Sequence, residues 1–346
     1  MTADATPRRL YLFLAFFLLL ALETSCSPQG NLANTLPVEI ATITAESTSA
    51  PVLSSSPTPL ATATPAPTTT PSPSPTASPS CSPELCVYSG HFWLERPISP
   101  EDNDILDFTY RYGSTQLGNR PTHRGVEFVN PEGTAVLAAA KGKVVVAGDD
   151  AQQAYADFPL YYGYLVVIEH QMPELESPVY TLYGHLSEVL TEVGADVQAG
   201  DLIGRVGYTG IAEWSHLHLE VRVGENRFTH TRNPELWLKP HSNAAGVANG
   251  ALAGRILDEF GSPIYIPNVV IERLGEDNQE ILETIYVETY ADFSVHGDDV
   301  WSENFGIGDL PPGMYRVSFV ARGLQVWEVM VYPGQLTLLT FDAGEK

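Results

Sequence analysis

The chain of 346 residues predicts an all-β fold behind an unstructured front segment, and three observations carry that expectation. After residue 84, runs such as Lys143-Val144-Val145-Val146, Tyr164 to Glu169, Val179 to Tyr183 and His216 to Val223 are short and rich in β-branched and aromatic residues, the composition of strands. Glycine-bearing turns separate them, and no long segment shows the 3.6-residue period of an amphipathic helix. Before residue 84 the composition changes: Ser, Thr, Pro and Ala dominate, and all three cysteines of the chain lie before residue 87.

Residues 1–26 read as an export signal. Arg8 and Arg9 precede an unbroken apolar run from Leu10 to Leu22, shorter than the ~20 residues a membrane-spanning helix needs. The small residues before Cys26 resemble a bacterial lipobox, in which a lipid on the cysteine anchors the mature chain to a membrane. Glu23 departs from that pattern, which has an aliphatic residue there. Residues 27–83 contain too little bulky apolar surface to offset the entropy of ordering, so a disordered linker is expected. Cys81 and Cys86 then remain as an even pair, expected as a disulfide in an exported protein. Two cysteines cannot complete a structural zinc site.

A first folded unit is expected over residues 84–240, a turn-prone linker over 241–250, and a second β unit over 251–346. In the second, Ile264 to Ile271, Thr284 to Tyr290, Tyr315 to Val320 and Val326 to Val331 alternate or run apolar, with Pro311-Pro312-Gly313 as a hard turn. Charge sharpens the class. The net charge is −24, carried by both folded units, which leaves no basic stripe for nucleic acid and argues against electrostatic adhesion to anionic lipid or wall polymers.

Three clusters could carry chemistry. His123-Arg124-Gly125-Val126-Glu127 places a histidine and a carboxylate four apart, on one face in extended backbone, with Gly125 leaving space between them. Tyr183-Gly184-His185-Leu186 is the second. In the third, His216-Leu217-His218-Leu219-Glu220, period-two alternation sets both imidazoles on one face and the leucines on the other. Each cluster alone is a weak signal, more often a packed histidine or a solvated surface carboxylate than a metal site.

Together and in this order they resemble the M23 peptidoglycan endopeptidases, the lysostaphin-like zinc peptidases. The likeness runs from about Tyr110 to Glu220. It rests on Tyr112-Gly113 before His123-x-Gly125-x-Glu127, on Gly133-Thr134, Ala138 to Gly142 and Ile168-x-His170, and on Thr181-x-Tyr183-x-His185-Leu186. The glycine-punctuated stretch from Val193-Gly194 to Thr209-Gly210 and the closing His216-Leu217-His218 complete it. The tail from Leu252 more loosely resembles a carboxypeptidase regulatory-like domain, a small transthyretin-like β-sandwich, through Gly254-Arg255-Ile256, Pro267-Asn268-Val269 and Leu310-Pro311-Pro312-Gly313-x-Tyr315.

The resemblance implies a lysostaphin-like β-sheet catalytic domain with one Zn²⁺ per chain, held by His123, Glu127 and His218 and with a fourth position open to water, as catalytic rather than structural zinc requires. It also implies that His185 and His216 flank that water, one taking its proton and the other stabilising the oxyanion. Two departures stand out: the family's acidic ligand is usually Asp, where this chain has Glu127, and Trp214-Ser215 replaces a small or Gly-Pro pair. Trp214, Tyr183, Tyr161 and Tyr162 are candidates to line a substrate groove. His170 is expected to be structural, and His91, His230, His241 and His296 to be surface or packing residues.

The expected function is hydrolysis of peptide cross-links in peptidoglycan outside the membrane, with a lipid at Cys26 as the membrane attachment. A relative that keeps the fold but has lost the chemistry, and binds wall or activates another hydrolase, is the second expectation. A lipoyl- or biotinyl-type carrier is disfavoured, because no lysine lies between Lys143 and Lys239 to accept the group.

Overall fold

The structure, a computed structural model, describes residues 81–344 apart from 291 and 293. The expected export signal, Cys26 and nearly all of the expected linker lie outside the described residues. What is described is β-structure, with one 3-10 turn and no α-helix.

Ten strands and the turn make up the first half: β1 (Leu85–Tyr88), β2 (Val126–Val129), β3 (Ala135–Leu137), β4 (Gly142–Asp149), β5 (Tyr164–His170), β6 (Val179–Val189), β7 (Asp196–Val197), β8 (Leu202–Val206), β9 (His216–Val223), β10 (Thr231–Arg232) and the 3-10 turn Pro234–Leu236. Seven follow: β11 (Gly250–Leu257), β12 (Val269–Leu274), β13 (Ile281–Val287), β14 (Phe305–Leu310), β15 (Gly313–Val320), β16 (Leu324–Val331) and β17 (Leu336–Asp342). Strands β2 to β10 form one antiparallel sheet, in which β9 is flanked by β10, β6 and β2. Two four-stranded sheets, β1-β17-β11-β14 and β13-β12-β15-β16, make the C-terminal sandwich.

The first sheet of the sandwich lies between two cores. Along β11 and β17, Ala251, Ala253, Leu336 and Leu338 join the core of the first unit beside Leu94, Leu236 and Trp237. The alternate residues Leu252, Ile256 and Leu339 pack instead with Val269, Ile271, Tyr315 and Val317 of the second sandwich sheet. Period-two alternation in a sheet covered on both faces produces this division. Strand β1, which opens the expected 84–240 span, is in the fold the edge strand of the sandwich, with Cys86 opposite Leu338. Cys81 and Cys86 are joined as a disulfide at its start. The 241–250 linker is an ordered turn closed by a Ser242–Ala248 bridge.

Candidate metal centre

Strand β9 carries the centre. Its leucines Leu217 and Leu219 enter the main core, so the alternating residues His216, His218 and Glu220 share the opposite face, as the sequence pattern requires. Strand β2 pairs antiparallel with β9, placing Glu127 opposite His218 and Val129 opposite His216. Directly opposed residues have Cβ atoms about 5 Å apart, within reach of a glutamate and an imidazole. His123 arrives from the irregular stretch before β2.

The three groups converge. Glu127 Oε1 lies 2.8 Å from His123 Nε2 and 2.9 Å from His218 Nδ1, and a ligand atom from each residue falls within 4.8 Å of the others. All three are buried. Glu127 Oε2 and His123 Nδ1 are buried polar atoms without a hydrogen-bond partner, a costly arrangement unless something else binds there. Gly125 lies against His218 closely enough that a Cβ would overlap the imidazole, which explains the small residue between His123 and Glu127.

The electrostatics demand positive charge at this point. Burial pushes the Glu127 carboxyl up, but His218 and His123 outweigh it and hold the group well below the usual carboxylate range. Burial pulls His218 down, and Glu127 and Glu220 on its two sides outweigh that, raising it to about 10. A proton or a divalent cation meets that demand, and a His₂-carboxylate set is a zinc donor set. The residues present therefore fit the metal.

A buried network backs His218. Its Nε2 lies 3.2 Å from Glu220 Oε1, which also accepts the Tyr162 hydroxyl at 2.5 Å. Arg222 Nε donates to Glu220 Oε2 at 2.7 Å, and its Nη2 to the Tyr162 oxygen at 2.9 Å. Burial works against ionising Glu220, yet Arg222 and His218 hold it down at about 2. A carboxylate on Nε2 aims Nδ1 at the metal position.

His185 reaches the centre by a route that strand periodicity does not give. Tyr183 and Leu186 both point into the main core although they are three residues apart. A regular strand would send His185 to the same side as Tyr183. A register shift between β5 and β6 opposite Gly184-His185 and a left-handed φ of 60° at His185 turn it out instead, beside His216 with ring centroids 4.9 Å apart. Such a conformation costs a non-glycine residue about 1–3 kcal/mol and is typical of functional positions. His185 Nδ1–H donates to the Thr209 carbonyl at 2.8 Å, and His216 Nδ1–H to that of Trp214 at 2.8 Å. Both Nε2 atoms are thereby left with their lone pairs free. His216 Nε2 is 3.2 Å from Glu127 Oε2. Burial, followed by the charge of His218, lowers His185 to about 3.

A cleft of about 660 Å³ opens over the centre. Trp214 and Tyr161 line it with Tyr110, Phe158 and Phe228. Tyr183 and Tyr162 do not: both are fully buried. The Tyr183 hydroxyl accepts from Ala139 N and Thr181 Oγ1, and Tyr162 belongs to the Glu220 network. Adjacent aromatics in a loop carry no signal that says which ring turns inward. Among the wall residues that escape the sequence reading are Tyr110, stacked on His123 with centroids 4.1 Å apart, and Arg120, whose guanidinium lies between the Tyr110 and Trp214 rings and donates to Glu213 at 2.6 Å. His170 is structural, bonded to Lys141 O and Thr181 Oγ1. His91 is buried among Trp93, Trp237 and Trp301 and paired with Asp298 at 3.1 Å.

Comparisons with known proteins bear on the same span. Residues 121–230 match the family model of peptidase family M23. Over 101 residues the chain is 35% identical to the DD-carboxypeptidase/endopeptidase Mpg of Neisseria meningitidis serogroup B, covering 29% of this chain and 20% of that protein. Over 129 residues it is 33% identical to the murein hydrolase activator EnvC of Escherichia coli, covering 37% and 26%. Among solved structures, the catalytic domain of the antimicrobial peptidase lysostaphin from Staphylococcus simulans is 31% identical, with 36% of this chain and 86% of that one covered and a TM-score of 0.30. The chain thus spans only 20% and 26% of the length of these two curated relatives.

Proposed function

Given that residues 121–230 are a peptidase M23 domain, we propose that this chain is a zinc-dependent endopeptidase that hydrolyses peptide cross-links of peptidoglycan outside the membrane, tethered by a lipid on Cys26 through the Ser/Thr/Pro-rich segment. The observation that carries the reading is the convergence of His123, Glu127 and His218 on one point, with the free Nε2 atoms of His185 and His216 beside it.

His123 Nε2, the Glu127 carboxylate and His218 Nδ1 would hold the metal. Bound there, zinc supplies Lewis acidity toward water and a peptide carbonyl. His216 is the proton acceptor, because Glu127 Oε2 at 3.2 Å stabilises the imidazolium that forms, and it then delivers the proton to the leaving amine. His185, its Nδ1–H held by the Thr209 carbonyl, turns its Nε2 lone pair toward the centre and orients the attacking water. Tyr110, Tyr161 and Trp214 provide flat surfaces for peptide or glycan.

The test is metal analysis of the purified chain together with digestion of isolated peptidoglycan and mass spectrometry of the new termini. One zinc per chain is expected, with hydrolysis abolished by chelator, by His216→Ala and by His218→Ala. Undiminished hydrolysis in both variants would sink the proposal, and stoichiometric zinc without hydrolysis would favour an activator role of the kind named for EnvC.

A further inference from the structure

We propose that the C-terminal sandwich is the scaffold that positions the metal ligand His123 and one wall of its cleft, with Glu288 and Tyr290 as the positioning residues. The proposal rests on the metal centre described above and gives the second folded unit a function within catalysis.

His123 is the one ligand outside a strand, so the ladder that fixes Glu127 and His218 does not hold it. Its main chain is held by two neighbours: Gly113 N–H donates to His123 O at 2.8 Å, and His123 N–H to Ser114 O at 2.9 Å. Residues 113–117 are in turn fastened to the sandwich. Glu288 accepts from Ser114 Oγ at 2.6 Å, Thr115 Oγ1 at 2.9 Å and Leu117 N–H at 3.0 Å. The Tyr290 ring lies against Gly113, where φ is +77° and a Cβ would overlap the ring. Glycine at 113 is therefore required by a residue of the other unit as well as by its own backbone.

Both neighbours of His123 are also tied down. Arg124 donates to Ser294 O and Oγ at 2.7 Å each, and the Thr122 hydroxyl donates to Asp292, which itself lines the cleft. Tyr290 is anchored by donating to Glu303 Oε1 at 2.9 Å and accepting from Asn233 Nδ2 at 3.2 Å.

The scaffold is joined firmly to what it supports. Gly306 and Gly308 of β14 press against Asn233, Glu235 and Leu236, and one core runs through both units. A detachable spacer or wall-binding module would instead be joined through a mobile linker with few contacts. Metal affinity depends on ligands being held before the metal arrives, and here the sandwich does the holding.

The experiment measures zinc affinity of the full chain by chelator competition, and amide hydrogen exchange over residues 113–124 in the metal-free chain. Glu288→Ala should weaken zinc about tenfold and speed exchange at 113–124 by a similar factor. Glu288→Gln, which keeps one acceptor oxygen, should fall between it and the wild type. Ile271→Val, in the sandwich core and without a hydrogen bond to the loop, serves as control: it lowers stability and should leave zinc affinity unchanged. Unchanged affinity and exchange in Glu288→Ala would overturn the proposal, as would an equal loss in Ile271→Val. If the wild type binds no zinc, the metal centre is wrong, and the exchange data alone decide whether Glu288 positions the loop.

Discussion

Glu127 and His218 stand opposite each other on β2 and β9, with Glu127 Oε1 2.9 Å from His218 Nδ1. The same oxygen is 2.8 Å from His123 Nε2, so one glutamate arm, one methylene longer than aspartate, spans the distance to both imidazoles. Glu127→Asp should therefore weaken zinc by at least the ~10-fold that disturbing a ligand's supporting contacts costs, although it installs the residue more usual in the resembled family. Chelator competition decides, and an aspartate variant that binds as tightly would show that the strand pair closes to compensate.

Glu220 should matter to the metal without touching it. Glu220→Gln keeps the side-chain shape but removes the charge that aims His218 Nδ1, and about 10–100-fold in zinc affinity should be lost, with a smaller loss in Tyr162→Phe. Glu220→Ala leaves Arg222 buried and unpaired and should cost about 3–5 kcal/mol of stability in denaturant unfolding. Wild-type affinity in Glu220→Gln would remove the network from any part in metal binding.

Glu303 gives the fold a pH dependence of its own. Burial and then the nearby Asp298 push its carboxyl up to about 8, far above the value near 4.3 of an unfolded glutamate. Between those values the folded state holds a proton that the unfolded state has lost, so the contribution of this group to stability is full below pH ~4.3 and is lost as pH rises toward 8, by at most about 1.4 kcal/mol per pH unit. Glu303→Gln, a neutral isostere, should flatten that decline and be more stable than the wild type at pH 8. Parallel slopes for the two proteins in denaturant titrations from pH 5 to 8 would contradict the assignment.

Much of the centre is legible in the sequence, because it is local. The alternation in His216-Leu217-His218 determines which face carries the imidazoles, and the four-residue spacing of His123 and Glu127 around Gly125 lets them meet. The second sandwich sheet is legible as well, since β12, β13, β15 and β16 are rich in β-branched and aromatic residues. Two strands of its companion are less so. Strand β11 reads GALAGRIL and β14 reads FGIGDL, apolar residues interrupted by glycines, and a Cβ at Gly254 or Gly308 would overlap the Phe305 ring or the Glu235 backbone.

What the sequence by itself determines is therefore the all-β class, the order of the motifs and the faces on which the β9 histidines and Glu127 stand, because period-two geometry acts within a few residues. Only the tertiary structure decides that His185 turns out at a bulge, that Tyr162 and Tyr183 turn inward, and that Glu288 and Tyr290, more than 160 residues along the chain from His123, hold its loop. Those outcomes come from packing and hydrogen bonding between distant segments, and no local period encodes which segments will meet.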